Sequence, residues 1–293
     1  MKGRRFPTVG ETVAADTFIS EAGGKGTNQA LAAARLGSEV AIIGCVGDDI
    51  YGQSVRQTYR EFGVNTTGLR TDRSACTGAA FVLINREGKN MIMMAPGANF
   101  RFTPNDFDKN VPLIKNSSII GFQLEINQDF VEYGIKKAHT LGIKTLLDPA
   151  PAGPIDPSVY AYLDFIKPNE TEAAFLTGIS VTDRDSAFQA AQWFFDQGVK
   201  NTIITLGENG VIVLNREIRK HIIPPKVEAL DSTAAGDIFC GALMHCLAEG
   251  MDFEPSVQFA VYASARSVLT LGAINAMPAR QEVLEFRNQC NKQ

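Results

Sequence analysis

Residues 117–151, SSIIGFQLEINQDFVEYGIKKAHTLGIKTLLDPAP, decide the fold class. The apolar run SSIIGFQL (117–124) is followed by NQDFVEYGIKKAHTLG (127–142), whose apolar residues recur at helical spacing up to a glycine. A second apolar run, IKTLLDPAP (143–151), comes next. Neither run alternates with polar residues, so neither strand has a wet face and both sides must be covered. Continuous apolar strands joined by a helix predict parallel neighbours in a sheet.

The same pattern extends outward. EVAIIGCVG (39–47), DFIKPN (164–169) and NTIITLG (201–207) read as further strands, and IYGQSVRQTYREFGV (50–64) and RDSAFQAAQWFFDQG (184–198) as helices. The expected fold is α/β, a mostly parallel sheet with helices on both faces. One region departs from it. TGAAFVLINREGKNMIMMAPGAN (77–99) reads as two strands around the turn NREGKN, and ETVAADTFISEAGG (11–24) as extended chain. These predict a small β-layer, either a lid or a plain hairpin. The division is a large domain of residues 25–76 and 100–293 and a lid of 8–24 and 77–99, with no internal repeat, low-complexity tract or linker.

With 293 residues, 45% of them hydrophobic, the chain can bury a large core. A net charge of −4 argues against a general nucleic-acid binder but leaves room for small phosphorylated ligands. The five cysteines are odd in number and form no CxxC pair, which reads as reduced thiols in a cytoplasmic protein. No run of ~18 apolar residues predicts a membrane span, and the N-terminus lacks the apolar core of a signal peptide. The three histidines are far apart and read as structural rather than as a zinc site.

Chemistry concentrates in LDSTAAGDIFCGAL (230–243), where Asp231 and Asp237 bracket small residues at the start of a helical pattern. Small residues there leave backbone N–H groups uncovered, a place for negative charge such as a transferring phosphoryl group. A carboxylate beside it repels phosphate, and makes sense as the base that deprotonates an attacking hydroxyl. The competing explanation for Asp237 is helix capping. In EAGGKGTNQALAAARLG (21–37) three glycines surround Lys25, in neither a P-loop nor a dinucleotide-binding spacing. The glycines admit a polyol to the backbone, with Lys25 and Asn28 as hydrogen-bond donors; the alternative is a tight turn with Asn28 and Gln29 solvated. In KPNETEAAFLTG (167–178), Asn169 and Glu172 have capping spacing, or they face hydrated Mg²⁺ and phosphates. The glycines of ITLGENGV (204–211) would admit a flat ligand such as a purine, and Glu125 of FQLE ends a strand where a hydroxyl-binding carboxylate can lie.

Taken together, GGKGTNQALAAARLG and DSTAAGDIFCGAL, with QLE, NETE and TLG between them in order, resemble the ribokinase branch of the PfkB carbohydrate-kinase family from about Gly10 to the C-terminus. The resemblance implies ATP-dependent phosphorylation of a primary hydroxyl on a small sugar, ribose first. It implies Asp237 as the base and the backbone of Ala234, Ala235 and Gly236 as the anion hole. Gly24, Lys25, Asn28 and Glu125 would hold the sugar, Asn169 and Glu172 would serve the Mg²⁺–nucleotide, and Thr205, Gly207 and Gly210 would line the nucleotide pocket. Asp231 would hold a monovalent cation, K⁺, with backbone oxygens near Thr233 and Gly272. The family's lid implies a homodimer.

Three departures qualify the match. Family members begin with a strand carrying a sugar-gripping aspartate, whereas only MKG precedes RRFPTVGETV here, so that strand and its aspartate are expected to be missing. Ala276 in GAINAMP stands where the branch often has a serine near the cation, and Val261 where many relatives place Asn or His beside the adenine. Two rivals follow: a non-catalytic sugar or nucleotide sensor on the same fold, and a deoxyribose or nucleoside kinase.

Overall fold

The computed structural model describes residues 1–87 and 89–292; Gly88, part of the expected NREGKN turn, and Gln293 lie outside the described residues. In chain order the strands are β1 (Lys2–Gly3), β2 (Ala15–Thr17), β3 (Ala41–Gly47), β4 (Asn65–Asp72), β5 (Ala79–Ile84), β6 (Asn90–Ala95), β7 (Ile119–Phe122), β8 (Lys144–Leu147), β9 (Phe165–Ile166), β10 (Asn201–Thr205), β11 (Val211–Leu214) and β12 (Arg219–Ile222). The helices are α1 (Lys25–Arg35), α2 (Ile50–Glu61), α3 (Pro104–Lys109), α4 (Val111–Ile114), α5 (Gln128–Thr140), α6 (Glu170–Thr177), α7 (Arg184–Asp196), α8 (Ala235–Ala248), α9 (Phe253–Ser267) and α10 (Arg280–Cys290).

The main sheet runs β12-β11-β10-β9-β8-β7. β7 through β10 are parallel, and β11 and β12 turn back antiparallel. β3 and β4 form a separate parallel pair, not hydrogen-bonded to the main sheet among the described residues. The same two cores sandwich both pieces. Ile42 and Ile119 pack against the core that holds Leu146, Phe165 and Ile203, while Ile43 and Ile120 pack against the one that holds Leu147, Ile166 and Ile204. Successive strand residues therefore enter opposite cores, which is why the sequence shows no polar alternation. The first core is closed by Leu31 of α1, Ile238 and Leu243 of α8 and Val257 of α9; the second by Phe130 and Ile135 of α5 and Phe194 of α7.

Strand lengths are shorter than the apolar runs suggest, for a local reason. Of DFIKPN only Phe165–Ile166 is strand. Pro168 has no N–H to donate and Asn169 already caps α6.

β2-β1-β5-β6 form a second, four-stranded sheet. β5 and β6 pair antiparallel from Ala79↔Ala95 to Ile84↔Asn90, and β1 lies parallel to β5 and antiparallel to β2. Of the extended stretch 11–24 only Ala15–Thr17 is strand. Met91 and Met93 on one face of β6, and Ile92 and Met94 on the other, are all exposed. A two-sided apolar sheet in water has surfaces waiting for cover.

Candidate active site

Chemically active groups gather where the strands of the main sheet end. Gln123 and Glu125 follow β7, Asp148 follows β8, Lys167 follows β9 and Thr205 ends β10. This carboxyl edge is where an open α/β sheet leaves a crevice. Asn169 and Thr205 meet there in a single parallel bridge, and the Thr205 N–H donates to the Pro168 carbonyl at 3.0 Å.

Two helix N-termini face the crevice. α1 starts at Gly24, whose φ of 91° suits glycine and whose missing side chain leaves no cap of its own. Glu125, a hundred residues away, accepts the Lys25 N–H at 2.7 Å instead, placing negative charge at the positive end of the helix. α8 starts at Ala234, the only non-glycine with positive φ among the described residues, at 60°. Such a conformation costs an alanine about 1–2 kcal/mol and persists only where its surroundings enforce it. The Ala235 N–H donates to the Ser232 carbonyl at 3.2 Å, while those of Gly236 and Asp237, in the first helical turn, have no acceptor among the described residues. Asp237 caps nothing: the capping position is Ala234, so the helix-cap explanation is overturned.

Asp237 is 6% exposed. Its Oδ2 accepts from Asn28 Nδ2 at 2.8 Å, and its Oδ1 lies 3.8 Å from Lys25 Nζ and 3.5 Å from Gln29 Nε2. Asn28 and Gln29 are buried, which overturns the solvated-turn alternative. Asn28 Oδ1 is buried and accepts no hydrogen bond among the described residues. The approach of α1 to α8 depends on Gly241, where a methyl group would sit 2.6 Å from the Gln29 carbonyl oxygen and 2.7 Å from Ala32 Cβ.

Burial pushes the Asp237 carboxyl above its ordinary value, opposed chiefly by Lys25 and Asn28. Burial raises Glu125 likewise, against the Lys25 N–H, and Glu172 against the Asn169 N–H. The base expected from the sequence at Asp237 must be ionised to act, so kcat/KM is expected to rise with pH across a midpoint above the ordinary carboxylate value of ~3.9. The stability effect has the opposite slope. Between the unfolded and folded values the native state binds more protons, so Asp237's contribution is full below the unfolded value and is lost as pH rises through the folded one. Denaturant titrations from acid to neutral pH should show a larger loss in the native chain than in Asp237→Asn, where Glu125 and Glu172 still contribute theirs.

Asn169 and Glu172 form a reciprocal capping box: Asn169 Oδ1 accepts the Glu172 N–H at 2.9 Å and Glu172 Oε2 the Asn169 N–H at 2.8 Å. Glu172 Oε1 is left for another partner. Asp231 Oδ1 accepts from the Thr233 N–H and hydroxyl, and Oδ2 from the Gly272 N–H at 2.9 Å, tying the two loops together. Gly207 and Gly210 have φ of 53° and 99°, and a side chain at 210 would strike the Ile222 carbonyl. A cleft of about 470 Å³ opens beside this turn, lined by Glu170, Arg184, Glu208 and His221 among others and by none of the groups around Asp237. Val261 and Ala276 are buried in the first core.

Gln29, Gln123, Asp148 and Lys167 belong to the same cluster, unforeseen from sequence. Gln123 Nε2 donates to Gln29 Oε1, Gln29 Nε2 donates to Asp148 Oδ2 at 2.9 Å, and Lys167 Nζ lies 2.9 Å from Asp148 Oδ1. The available signal was a charged residue closing an apolar strand beside a proline, in both IKTLLDP and DFIKP; buried charges need partners.

A family model described as pfkB family carbohydrate kinase matches residues 4–280. The chain belongs to the pfkB family of carbohydrate kinases. This pfkB kinase is 38% identical over 281 residues to the ribokinase of Haemophilus influenzae, covering 96% of this chain and 92% of that one. It is 35% identical to the deoxyribokinase of Salmonella typhimurium, at the same coverage. Its fold matches the crystal structure of a ribokinase from Thermotoga maritima, with a TM-score of 0.89, 35% identity and coverage of 98% and 94%. It also matches a ribokinase of Arabidopsis thaliana complexed with ribose and ATP, with a TM-score of 0.88, 30% identity and coverage of 97% and 93%.

Proposed function

We propose that this pfkB kinase transfers the γ-phosphate of ATP to a primary hydroxyl of ribose. The observation that carries the reading is a buried carboxylate, Asp237, set between the donors of α1 and the bare amides of Gly236 and Asp237. Asp237 takes the proton of the attacking hydroxyl, and the amides at the start of α8, with Ala234 and Ala235 shaping the turn, receive the negative charge of the phosphoryl group. Gly24, Lys25, Asn28 and Glu125 hold the sugar; the unpaired Asn28 Oδ1 accepts from one of its hydroxyls. Thr205, Gly207 and Gly210 line the nucleotide side.

The free oxygen of Glu172, beside the Asn169 cap, suits a hydrated Mg²⁺, a hard ion that prefers oxygen and keeps its waters. When bound, Mg²⁺ neutralises charge on the phosphate oxygens. The Asp231 carboxylate receives three donors, leaving lone-pair capacity for K⁺ together with backbone oxygens near Thr233 and Gly272. Five free cysteines accord with a cytoplasmic setting. Among the described residues no helix is long and apolar enough to cross a membrane.

The β2-β1-β5-β6 sheet acts as the lid: one apolar face closes over the sugar and excludes water, and the other pairs with a second copy of the chain. Met93→Lys puts a charge on that apolar sheet, and sedimentation should show a dimer of the unaltered chain shifting to monomer.

ADP release measured across ribose, 2-deoxyribose, fructose and nucleosides tests the substrate. Ribose should give the highest kcat/KM. The deoxyribokinase relative supplies the second reading, which preference for 2-deoxyribose would establish. Absence of turnover with every sugar would leave only the sensor.

A further inference from the structure

Lys167 is an unusual residue to find behind a phosphoryl-transfer site. It is 4% exposed, and its backbone N–H extends the sheet by donating to the Leu147 carbonyl at 2.9 Å. Its ammonium pairs with Asp148, which is fully buried. Lys167 Nζ also lies 3.5 Å from where a methyl group on Gly236 would be, which places the ammonium beside the residue that carries a bare amide. Asp148 divides its carboxylate between Lys167 and Gln29, and Gln29 reaches Asp237 Oδ1. An ammonium has three N–H donors, so one carboxylate oxygen does not exhaust it.

We propose that Lys167, anchored by Asp148, is a positioning residue for phosphoryl transfer: a buried ammonium beneath the Gly236 amide that adds positive potential where the phosphoryl group arrives. The inference rests on the kinase reading and deepens it. A buried pair is seldom kept for stability alone, because desolvating two charges offsets their attraction and an apolar pair of similar volume serves as well. Here the pair does what an apolar pair cannot. Its positive end points at the phosphoryl site and its negative end is turned toward Gln29.

The same charge acts on Asp237. Facing that carboxylate are Lys25 from α1, Glu125 after β7, Asp148 after β8, Lys167 after β9 and Cys240 one turn along α8, while Glu172 of α6 faces Lys167 and Asp148. Burial works against the charge on Lys167, but Asp148 and its negative neighbours together more than offset it, so the ammonium stays charged. Lys167 in turn favours the ionised form of Asp237. Loss of Lys167 alone leaves Asp148 without its cation; loss of both partners removes the potential without stranding a charge.

The test compares native chain, Lys167→Met and Lys167→Met/Asp148→Asn by ADP release with ribose as a function of pH, alongside thermal unfolding. Lys167→Met should be both destabilised and slow. The double variant should recover most of the lost thermal midpoint yet stay about 10²-fold down in kcat, the effect of losing one group aimed at developing charge. Asp148 raises the Asp237 carboxyl more than Lys167 lowers it, so the double variant's acid limb of kcat/KM should move to lower pH, and its KM for ribose should be unchanged within about twofold. A double variant with native kcat and a native pH profile overturns the proposal and leaves the pair a structural one. If the double variant fails to fold, Lys167→Met alone decides, assayed well below its thermal midpoint: a kcat about 10²-fold down with KM for ribose within about twofold of native supports the proposal, and a native kcat, or a loss that falls on KM instead, overturns it. Absence of turnover in the native chain would instead sink the kinase reading itself.

Discussion

Asp237→Asn should lower kcat by ~10²–10⁴, the range for loss of a general base, with ribose affinity largely kept. The substitution is nearly isosteric. An asparagine oxygen can still accept from Asn28 Nδ2, the 2.8 Å contact that fixes the carboxylate, and the bare amides of Gly236 and Asp237 belong to the backbone and are unchanged. What the amide cannot do is take a proton. Calorimetric titration with ribose separates binding from chemistry, and a single-turnover measurement with saturating ATP gives the chemical step directly. The variant should also be no less stable than the native chain at neutral pH, because the buried carboxylate that burial disfavours has been replaced by a neutral group. A kcat within tenfold of native would remove Asp237 from the role of base.

Gly241→Ala is the second large effect, and it acts at a distance. Gly241 touches no proposed substrate group. It lies one turn along α8 from Asp237, where a single methyl would come 2.6 Å from the Gln29 carbonyl oxygen and 2.7 Å from Ala32 Cβ. Both obstacles are part of α1, one of them main chain, so neither can swing aside; the helices must separate. Overpacking of this kind costs about 1–3 kcal/mol of stability. The loss of activity should be larger in proportion, because the same movement draws Asn28 and Lys25 away from Asp237, and a displacement of about 1 Å can cost ~10²-fold. The expected result is a fold that survives, seen by circular dichroism and a lowered denaturation midpoint, with kcat/KM reduced by ~10²-fold. Native activity in a destabilised variant would show that helix spacing does not control the site.

These two residues illustrate how unevenly the site was legible. Asp237 could be found because a carboxylate among small residues at a helix start conflicts with any local explanation, and the αL conformation of Ala234 shows that the backbone there is held by its surroundings. Lys25, Asn28 and Glu125 were legible as glycine-loop and strand-end polar residues, and they meet Asp237 or one another in space. Gln29 was read as solvated in one alternative, but it is 1% exposed. Asn and Gln beside a glycine turn look alike in sequence whether they face water or a buried network. Asp148 and Lys167 were read merely as the ends of strands. Each is unremarkable alone, and only their pairing at 2.9 Å gives them a role.

The apolar runs without alternation determined by themselves that this chain would build a sheet covered on both sides, because a strand with two apolar faces has no other stable place in water. The spacing of glycines and small residues likewise determined where helix starts would be bare. The tertiary structure alone decided which of these starts face each other. α1 and α8 are separated by some two hundred residues, and their alignment depends on a close crossing at Gly241 and on Glu125 reaching back to cap α1. It also decided that Lys167 would be buried against Asp148. Local pattern fixes what each segment must hide from water, whereas the meeting of charged groups from distant segments depends on how helices and strands pack, which no short stretch encodes.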